Sequence, residues 1–231
     1  MAGMTDGTSL PKAIPFELSE ADLEALATKD EDFVPHNWED LKEVIARGDM
    51  SLLKRSPTDL RNYIRWRAEI QTKFGSVTNF ILRNKLHWAS HANNHQNRGY
   101  YGNKAPLTNS ADFRILRNDW PYGMSSGILH LLVWSKTPIP VNGDGDPTPE
   151  SRRLILQFIE RTFGAEMNTR DQPRDNILWF KNRKRWQSVQ ALEHIHIMLR
   201  NADEGFITRL TGQYPEDLEC SMYSSAAIIT A

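Results

Sequence analysis

Apolar residues recur with a helical period through most of residues 16–90, and polar positions fill the faces between them. Each apolar stripe is bounded by residues that start or stop helices. Four helices are therefore predicted: from a capping box at Ser19 to about Thr28, from the cap Asn37 to Gly48, from Ser56-Pro57 to Gly75, and over Val77–Trp88.

The pattern changes after residue 112, where short apolar runs alternate with helix-like stretches. The apolar runs predict strands at Phe113–Leu116, Ile128–Trp134 and Asn176–Lys181, the second of them covered on both faces. The periodic stretches predict helices from Pro149 to Phe163, where Gly164 ends the helix, over Lys184–Arg200, and over Phe206–Leu210. The order strand, helix, strand, helix favours a right-handed crossover between parallel strands.

The predicted fold class is α/β (or α+β): a helical N-terminal half followed by a small parallel-containing sheet with crossover helices. Residues 1–15 are polar and are predicted to form a disordered tail. A single globular domain is predicted over 16–231, because 231 residues are long for one domain and short for two. Within it we expect a helical part (16–90), a loop (91–111), an α/β part (112–211) and a C-terminal tail (212–231).

An unusual turn, Asn-Asp-Trp-Pro-Tyr-Gly at 118–123, separates the first two predicted strands. The proline fixes its own φ and pushes the preceding residue toward an extended conformation, and Gly123 permits a positive φ. Asp119, Trp120 and Tyr122 place a carboxylate beside two large aromatic rings, which a simple chain reversal does not require. Loops at strand ends commonly carry function, so this turn is a candidate site.

Composition describes an ordinary soluble globular protein, with 39% apolar and 25% charged residues. No apolar run approaches the roughly 20 residues of a membrane helix, so no membrane association is expected. The N-terminus shows neither the basic nor the apolar region of a secretory signal, and the single cysteine, Cys220, excludes an intrachain disulfide framework. These features favour a cytoplasmic protein and leave its oligomeric state open.

The net charge of −1 conceals an uneven distribution. Residues 16–49 contain eleven acidic and three basic residues, and the chain after residue 49 carries a balance of +7. A basic body behind an acidic segment is consistent with a polyanion-binding face or with two differently solvated surfaces. Charge alone favours the second interpretation.

His87, His91 and His95 stand four residues apart, a spacing that would align metal ligands on a helix. The surrounding stretch is rich in Asn and Gly and has no apolar period, so a long loop is predicted there instead. We therefore predict neither a metal site nor another cofactor.

Two predicted parallel strands end alike, in a tryptophan followed within two residues by a lysine. Open α/β sheets carry their sites just beyond such ends, so Trp134, Trp179, Lys181 and Asn182 are candidates. Core positions are the better interpretation for the two tryptophans. For Lys181 and Asn182, at a predicted strand-to-helix junction, a functional and a surface role are equally favoured.

Glu193, His194 and His196 lie in the apolar stretch ALEHIHIML, which is predicted to be helical. On a helix, Glu193 and His196 would share a face, so that the carboxylate could orient the imidazole, while His194 points elsewhere. An unpaired buried glutamate is costly, so a partner is expected. Catalysis or ligand binding is favoured over a purely structural role.

A carboxylate beside aromatic faces suits a guanidinium, which donates bidentate hydrogen bonds and stacks on rings. Asp119, Trp120 and Tyr122 are therefore a candidate binding group for an arginine side chain. The alternative is an Asx-turn in which Asp119 accepts from its own backbone. That alternative explains the carboxylate alone better than it explains the three residues together.

Arg183, Lys184 and Arg185 stand at the start of the last long predicted helix, where positive charge opposes the helix dipole. A nearby anion would offset this, and both nucleic acid phosphates and the acidic N-terminal segment are candidates. Ser188 lies in the first turns of that helix and could act as a nucleophile. No adjacent base is identified, and a helix-surface hydroxyl is the more common case.

Four segments together resemble the fungal N-acetylglucosamine-induced protein family: NDWPYG (118–123), ILHLLVWSK (128–136), ILWFKN (177–182) and QSVQALEHIHIML (187–199). The resemblance covers about residues 63–199. Some members of that family are arginine-containing cyclodipeptide synthases, and the resemblance implies this activity. Such an enzyme takes arginine from arginyl-tRNA, joins it to a second amino acid, supplied free or as an aminoacyl-tRNA, and closes a diketopiperazine.

The tRNA ester is already activated, so such an enzyme needs a base for the attacking amine and donors for the tetrahedral oxyanion. Our hypothesis gives the base role to Glu193 with His196, and the donor role to Lys181 and Asn182. The other hypothesised contacts are with substrate (Asp119, Trp120, Tyr122, His130, Trp134, Trp179, Ser188, His194) and with tRNA phosphates (Arg183, Lys184, Arg185).

The rival interpretation is a non-catalytic, sugar- or metabolite-responsive binding protein that uses the same aromatic cleft. Both interpretations require the Asp119 turn, the Lys181 strand end and the Glu193–His196 stretch to converge on one pocket.

Overall fold

Helices cover both faces of a four-stranded sheet in the structure, a computed structural model that describes residues 10–11, 14, 16–88, 105–167, 175–184, 187 and 189–215. The helices are α1 (Glu20–Ala27), α2 (Trp38–Arg47), α3 (Pro57–Phe74), α4 (Val77–Phe80), α5 (Pro149–Met167) and α6 (Glu204–Thr211). A π-helical turn, Ile81–Lys85, continues α4. The strands are β1 (Phe113–Arg117), β2 (Ile128–Ser135), β3 (Ile177–Phe180) and β4 (Glu193–Arg200). The fold therefore mixes helices and sheet, as predicted.

Side-chain caps set the ends of the first helices. In α1 the Ser19 hydroxyl accepts from the Asp22 amide, and the Asp22 carboxylate accepts from the Ser19 amide. Asn37 caps α2 in the same way, and Gly48 ends that helix with a φ of 71°. Ser56 caps α3. These three predicted helices are confirmed, and the fourth is confirmed as far as the end of the π turn.

The sheet is antiparallel throughout, with the strand order β1-β2-β4-β3. The predicted parallel crossover is therefore wrong. The predicted helix over Lys184–Arg200 is also wrong, because its second half is the central strand β4, which pairs with β2 and β3. Residues 194–199 are all buried, so the two histidines among them do not mark a solvent-exposed face.

Alternate side chains of each strand point to opposite faces of the sheet. One face packs against α5 and α6 around a core that includes Leu131, Val133, Ile155, Phe158, Phe163, Ile195, Ile197 and Leu199. Gly164 is buried inside α5, so the predicted helix end at this residue is wrong. The opposite face carries His130, Trp134, His194, His196 and Met198, and the N-terminal helices cover it.

Backbone hydrogen bonds connect the 118–123 turn to the N-terminal half. The Gly123 amide donates to Lys54 O at 2.8 Å, and Gly123 O accepts from the His36 amide at 2.9 Å. A Cβ on Gly123 would lie 2.4 Å from the Phe33 ring and 3.3 Å from the Ser56 amide nitrogen, so a side chain at this position would displace the Phe33 ring. The residue does not use a positive φ, and close approach is the reason for the glycine.

Several predicted segments fall outside the described residues, namely most of the 1–15 tail, loop positions 91–104 and the tail after 215. The described end of the predicted loop is not all exposed, since Leu107 belongs to the α5 core. None of the helices in the described ranges is both long and apolar enough to cross a membrane.

Replacing Phe158 with Ala should lower the free energy of unfolding by about 3–5 kcal/mol, because it opens a cavity under the sheet where the ring is fully buried. Leu156→Ala, on the exposed side of the same helix, should change it by less than about 0.5 kcal/mol. Urea unfolding followed by circular dichroism measures both. Equal losses in the two variants would contradict this assignment of the core.

Candidate functional site

A cavity of about 660 Å³ lies on the sheet face that carries the histidines. Its other walls come from the segment before α1, from α3, α4 and the π turn, and from the 118–123 turn. This volume is in the range of small-molecule and cofactor sites. The predicted site residues that line it are Asp119, Trp120, Tyr122, Trp134, Asn182, His194 and His196.

Aromatic rings form one continuous wall of the cavity. Neighbouring rings in this wall have centroids 5.5 to 6.0 Å apart, and its members are Phe16, Tyr63, Trp66, Phe80 and Trp120. The Trp120 indole nitrogen is buried and has no hydrogen-bond partner among the residues that the structure describes.

Asp119 is held by an ion pair to Lys85, with its carboxylate 2.8 Å from Nζ. Lys85 ends the π turn, and both side chains are mostly buried at the cavity wall. The Asx-turn that the sequence suggested is formed by Asn118 instead, whose Oδ1 accepts from the Trp120 amide at 3.0 Å. The carboxylate predicted to bind a guanidinium thus already holds a cation of the protein.

A chain of buried side chains runs from the turn to the end of β3. Asn118 Nδ2 lies 3.2 Å from His130 Nδ1, and His130 Nε2 lies 2.9 Å from His196 Nδ1. His196 Nε2 lies 3.2 Å from the side-chain amide of Asn182. The Tyr122 hydroxyl lies 3.5 Å from the same amide, and its ring stacks on His130.

The donor and acceptor in each of these hydrogen bonds follow from the contacts of Asn118. Because Asn118 Oδ1 accepts from the Trp120 amide, its amide nitrogen donates to His130 Nδ1. A neutral His130 then donates from Nε2 to His196, and a neutral His196 presents an N–H to Asn182.

Asn182 Oδ1 has no partner among the described residues, whereas Nδ2 faces His196. Exchanging the positions of Asn182 Oδ1 and Nδ2 lets Oδ1 accept a hydrogen bond from His196 Nε2. The Asn182 nitrogen then has no partner in the described part of the chain and can act as a donor.

Desolvation keeps both histidines neutral. It lowers the pKa of His130 from 6.5 to about 3, with the Arg55 guanidinium and His194 acting in the same direction. It also lowers the pKa of His196 well below its ordinary value, assisted by His130, His194 and Arg55. The pKa of Tyr122 is raised by desolvation, against an opposing effect of Arg55.

His194 is the histidine best placed to accept a proton from a ligand. Its Nδ1 lies 2.9 Å from Leu192 O, and a carbonyl can only accept, so the ring proton is on Nδ1. Nε2 therefore keeps its lone pair, and the ring lines the cavity against Trp134 at 4.6 Å between centroids. Desolvation lowers the pKa of His194, more than the Leu192 carbonyl and Glu193 raise it.

Glu193 and Lys181 do not line the cavity, and they form an ion pair with each other at 2.9 Å. Successive strand residues alternate between faces, so Glu193 and His196 point to opposite sides of the sheet. Their predicted shared face is therefore wrong. Glu193 also accepts from the Ile139 amide at 3.2 Å, which provides the partner that a half-buried carboxylate needs.

Other predicted site residues also lie elsewhere. Trp179 packs against the α5 core, where Arg152 lies over its ring, and His130 sits behind Tyr122 rather than on the cavity surface.

Arg183 binds Asp146 through two hydrogen bonds of 2.9 and 3.1 Å, and Lys184 is exposed. Arg185 and Ser188 lie outside the described residues.

Sequence reasoning missed the contribution of α3 to this site. Tyr63, Trp66 and Arg67 line the cavity, and their spacing of three and four places them on one helix face, next to Leu60 and Ile64, with which Tyr63 packs. That aromatic stripe was the available signal.

A half-buried arginine just before α3, Arg55, also lines the cavity, and no sequence signal marks it. It donates from Nε and Nη2 to Trp120 O.

No three His, Cys, Asp or Glu side chains in the described part of the chain are grouped so as to hold a metal ion. His87 is exposed, and His91 and His95 fall outside the described ranges.

The sequence is similar to fungal proteins. A family model described as "Protein of unknown function (DUF3605)" matches residues 37–200. N-acetylglucosamine-induced protein 1 of Candida albicans is 28% identical over 188 residues, which cover 76% of this chain and 72% of that protein. An uncharacterized protein of Saccharomyces cerevisiae is 27% identical over 164 residues, which cover 70% of this chain and 77% of that protein.

The fold is similar to a solved structure, the crystal structure of HTC1, with a TM-score of 0.55. The similarity covers 82% of this chain and 94% of that chain at 23% sequence identity. At this identity the comparison shows the shared fold alone.

The neutral histidines make stability depend on pH. Below about pH 6.5 the unfolded chain binds protons on His130 and His196 that the folded protein excludes, so acid should lower the free energy of unfolding. Between pH 7.5 and 5.5 we expect His130 to account for a loss of about 1–1.5 kcal/mol, and His196 to add to this loss. Urea unfolding at the two pH values measures it.

His130→Gln should reduce this pH dependence, whereas His87→Asn, which removes an exposed histidine, should leave it intact. A free energy of unfolding that does not change over this range, or equal slopes in His130→Gln and the parent protein, would contradict the neutral state of the buried histidines.

Proposed function

This chain belongs to the DUF3605 family, as the match over residues 37–200 shows, and from that premise we propose that it is an aminoacyl-tRNA-dependent aminoacyltransferase. The reaction we propose is the synthesis of an arginine-containing cyclodipeptide. The observation that carries the proposal is the cavity itself, in which an imidazole lone pair, an amide donor and an aromatic wall with a carboxylate meet. The motifs 118–123, 128–136, 177–182 and 187–199 support it through their resemblance to a family with such members.

The proposed chemistry forms two amide bonds. The amine of the second amino acid attacks the ester carbonyl of arginyl-tRNA, the ester C–O bond breaks, and the tRNA 3′ oxygen leaves and takes up a proton. In the proposed reaction the second amino acid is also carried as a tRNA ester, so the arginine amine attacks that ester, the second tRNA leaves and takes up a proton, and the six-membered ring closes. Each step needs a base for the ammonium proton and a donor for the oxyanion.

We assign the base role to His194. Its Nε2 keeps a lone pair because Nδ1 donates to Leu192 O, and the ring lines the cavity. The lowered pKa keeps the imidazole unprotonated at neutral pH, which is the state that accepts a proton. This replaces the Glu193–His196 pair, whose members face opposite sides of the sheet.

We assign the oxyanion donor to Asn182. Its oxygen accepts from His196 when the hydrogen bonds run in the direction that Asn118 sets, and its nitrogen, which then has no partner among the described residues, donates to the oxyanion when the side chain turns toward the cavity that Asn182 lines. His196 and His130 then hold the orientation of this amide, and they do not transfer protons themselves. Preorganised donors of this kind stabilise the charge that develops in acyl transfer.

The arginine side chain of the substrate is assigned to Asp119 and Trp120. The carboxylate lies at the cavity wall beside the ring of Trp120, and a guanidinium can pair with the first while stacking on the second. Binding then exchanges the Lys85 ammonium for the substrate guanidinium. Arg183 and Lys184 lie outside the cavity and remain our candidates for contacts with the tRNA backbone.

His194→Gln should reduce diketopiperazine formation by about 10²-fold or more, since a general base typically contributes 10²–10⁴. The assay incubates the protein with arginyl-tRNA and a mixture of other aminoacyl-tRNAs and detects the cyclic product by mass. His87→Asn serves as the matched control, because it removes an exposed histidine. Full activity of His194→Gln would remove the proposed base, and no product from the parent protein would refute the synthase.

Asp119→Asn should raise the KM for arginyl-tRNA more than it lowers kcat, because it weakens a binding contact distant from the reacting carbonyl. The measured quantity is the rate of arginine-containing product as a function of arginyl-tRNA concentration. An unchanged KM would show that Asp119 does not hold the arginine side chain.

A non-catalytic sugar-responsive protein is the second candidate. The curated relative in Candida albicans is named as induced by N-acetylglucosamine, and an aromatic wall beside polar side chains also suits a sugar ring. Titration with N-acetylglucosamine, followed by tryptophan fluorescence from Trp66 and Trp120, separates the two. Saturable sugar binding without any cyclic product would favour this candidate.

A further inference from the structure

Arg55 and Arg67 both lie next to Tyr63 at the aromatic wall. The Arg55 guanidinium carbon is 4.4 Å from the Tyr63 ring centroid, and that of Arg67 is 5.7 Å from it and 4.0 Å from the ring of Phe16. Both residues line the cavity, and neither forms an ion pair with a carboxylate in the described part of the chain. Two half-buried cations without a counter-charge are costly unless an anion joins them.

Both guanidinium groups keep donors for a ligand. Arg55 directs Nε and Nη2 to Trp120 O at 3.3 and 3.1 Å, which leaves its Nη1 group. Arg67 makes one long hydrogen bond, 3.4 Å from Nη1 to the Tyr63 hydroxyl. The planar donor fork of arginine fits the oxygens of phosphate and carboxylate.

The three acidic residues that line the same cavity do not neutralise these arginines. Asp119 is paired with Lys85 at 2.8 Å. Asp22 accepts from the amide and hydroxyl of Ser19 at 3.1 and 2.8 Å, and Glu17 is exposed. None of the three lies within 4.0 Å of either guanidinium among the described ion pairs.

We propose that Arg55 and Arg67 form a phosphate site, and that the adjoining aromatic wall stacks a nucleobase, so that the cavity takes a nucleoside 5′-monophosphate unit. The proposal rests on the contact between the arginines and the aromatic wall. Tyr63 packs against other rings of the wall and also contacts both guanidinium groups. Stacking on aromatic rings and arginine contacts to phosphate are how single-stranded nucleic acids are bound.

The identity of the nucleotide rests on the proposed function: it is the 3′-terminal adenosine of the aminoacyl-tRNA, whose ribose carries the ester. This placement accounts for a cavity larger than an arginyl group alone. It also puts the anion end of the substrate near α3 and the ester end toward His194 and Asn182 on the sheet.

Titration of the full chain with 5′-AMP, followed by tryptophan fluorescence, tests the site directly. We expect saturable binding that falls as salt rises, and weaker, nearly salt-independent binding of adenosine. Arg67→Gln and Arg55→Gln should each lower the affinity for 5′-AMP by at least about tenfold, because each removes one charge-assisted hydrogen bond. Arg153→Gln, which removes an exposed cation from α5, should leave it unchanged.

Arg55→Lys guards against a folding defect in Arg55→Gln, because it keeps the charge but loses the fork, and it should also weaken 5′-AMP. Circular dichroism confirms the fold of each variant. Absence of saturable 5′-AMP binding, or equal affinity in Arg67→Gln, Arg55→Lys and the parent protein, would overturn the phosphate site. Binding of free arginine that depends on both residues while 5′-AMP does not bind would assign the site to a carboxylate and overturn the nucleotide.

Product formation in the same variants separates this site from the proposed reaction. If 5′-AMP binds with the stated dependence on the arginines and no cyclic product forms, the nucleotide site stands and the synthase fails. If product forms in the parent protein and in both arginine variants at equal KM for arginyl-tRNA, the synthase stands and the nucleotide site fails.

Discussion

The two-residue alternation of the central strand β4 is the constraint on which the site depends. Every second side chain, Ile195, Ile197 and Leu199, enters the core against α5, and this leaves His194 and His196 no position but the opposite face. Glu193, the first residue of β4, points to the same face as Ile195 and Ile197, and it forms an ion pair with Lys181 there. The apolar core and the polar cavity are therefore two sides of one strand, and a shift of register by one residue would exchange them.

Desolvation and the Arg55 guanidinium together keep the buried histidines of the site neutral. Arg55 faces the buried histidines and lowers the pKa of His130 and His196 beyond what burial does alone. Neutral histidines can carry a hydrogen-bond direction, whereas charged ones would donate from both nitrogens and break it. The Asx-turn of Asn118 sets that direction from a backbone amide on the surface turn to the amide of Asn182. Loop, strand and cavity are thereby joined by side chains that carry no net charge.

Sequence reasoning succeeded where one local interaction decides the structure. The caps Ser19, Asn37 and Ser56 and the left-handed glycines Gly48 and Gly75 mark the helices because each acts within a few residues. It failed at β4 because residues 194–199 are apolar or buried on both faces, and the helix interpretation placed Glu193 with His196. Strict alternation of His194, His196 and Met198 with aliphatic residues was the signal for a strand. The turn residues Asp119, Trp120 and Tyr122 were found, but their partners Lys85, Arg55 and Tyr63 come from elements whose docking no local pattern encodes.

The wall built by Phe16, Glu17 and Asp22 lies ahead of the region shared with the family, which begins at residue 37. Phe16 is held there by ring contact with Tyr63 and by the Arg67 cation, and α1 by packing on α3, without any strand pairing. One part of the cavity wall thus comes from outside the region matched by the family, whereas the sheet face and most of the other lining residues lie within it. Substitutions in residues 16–27 can therefore change one wall of the cavity without altering the sheet, whose opposite face carries His194 and His196.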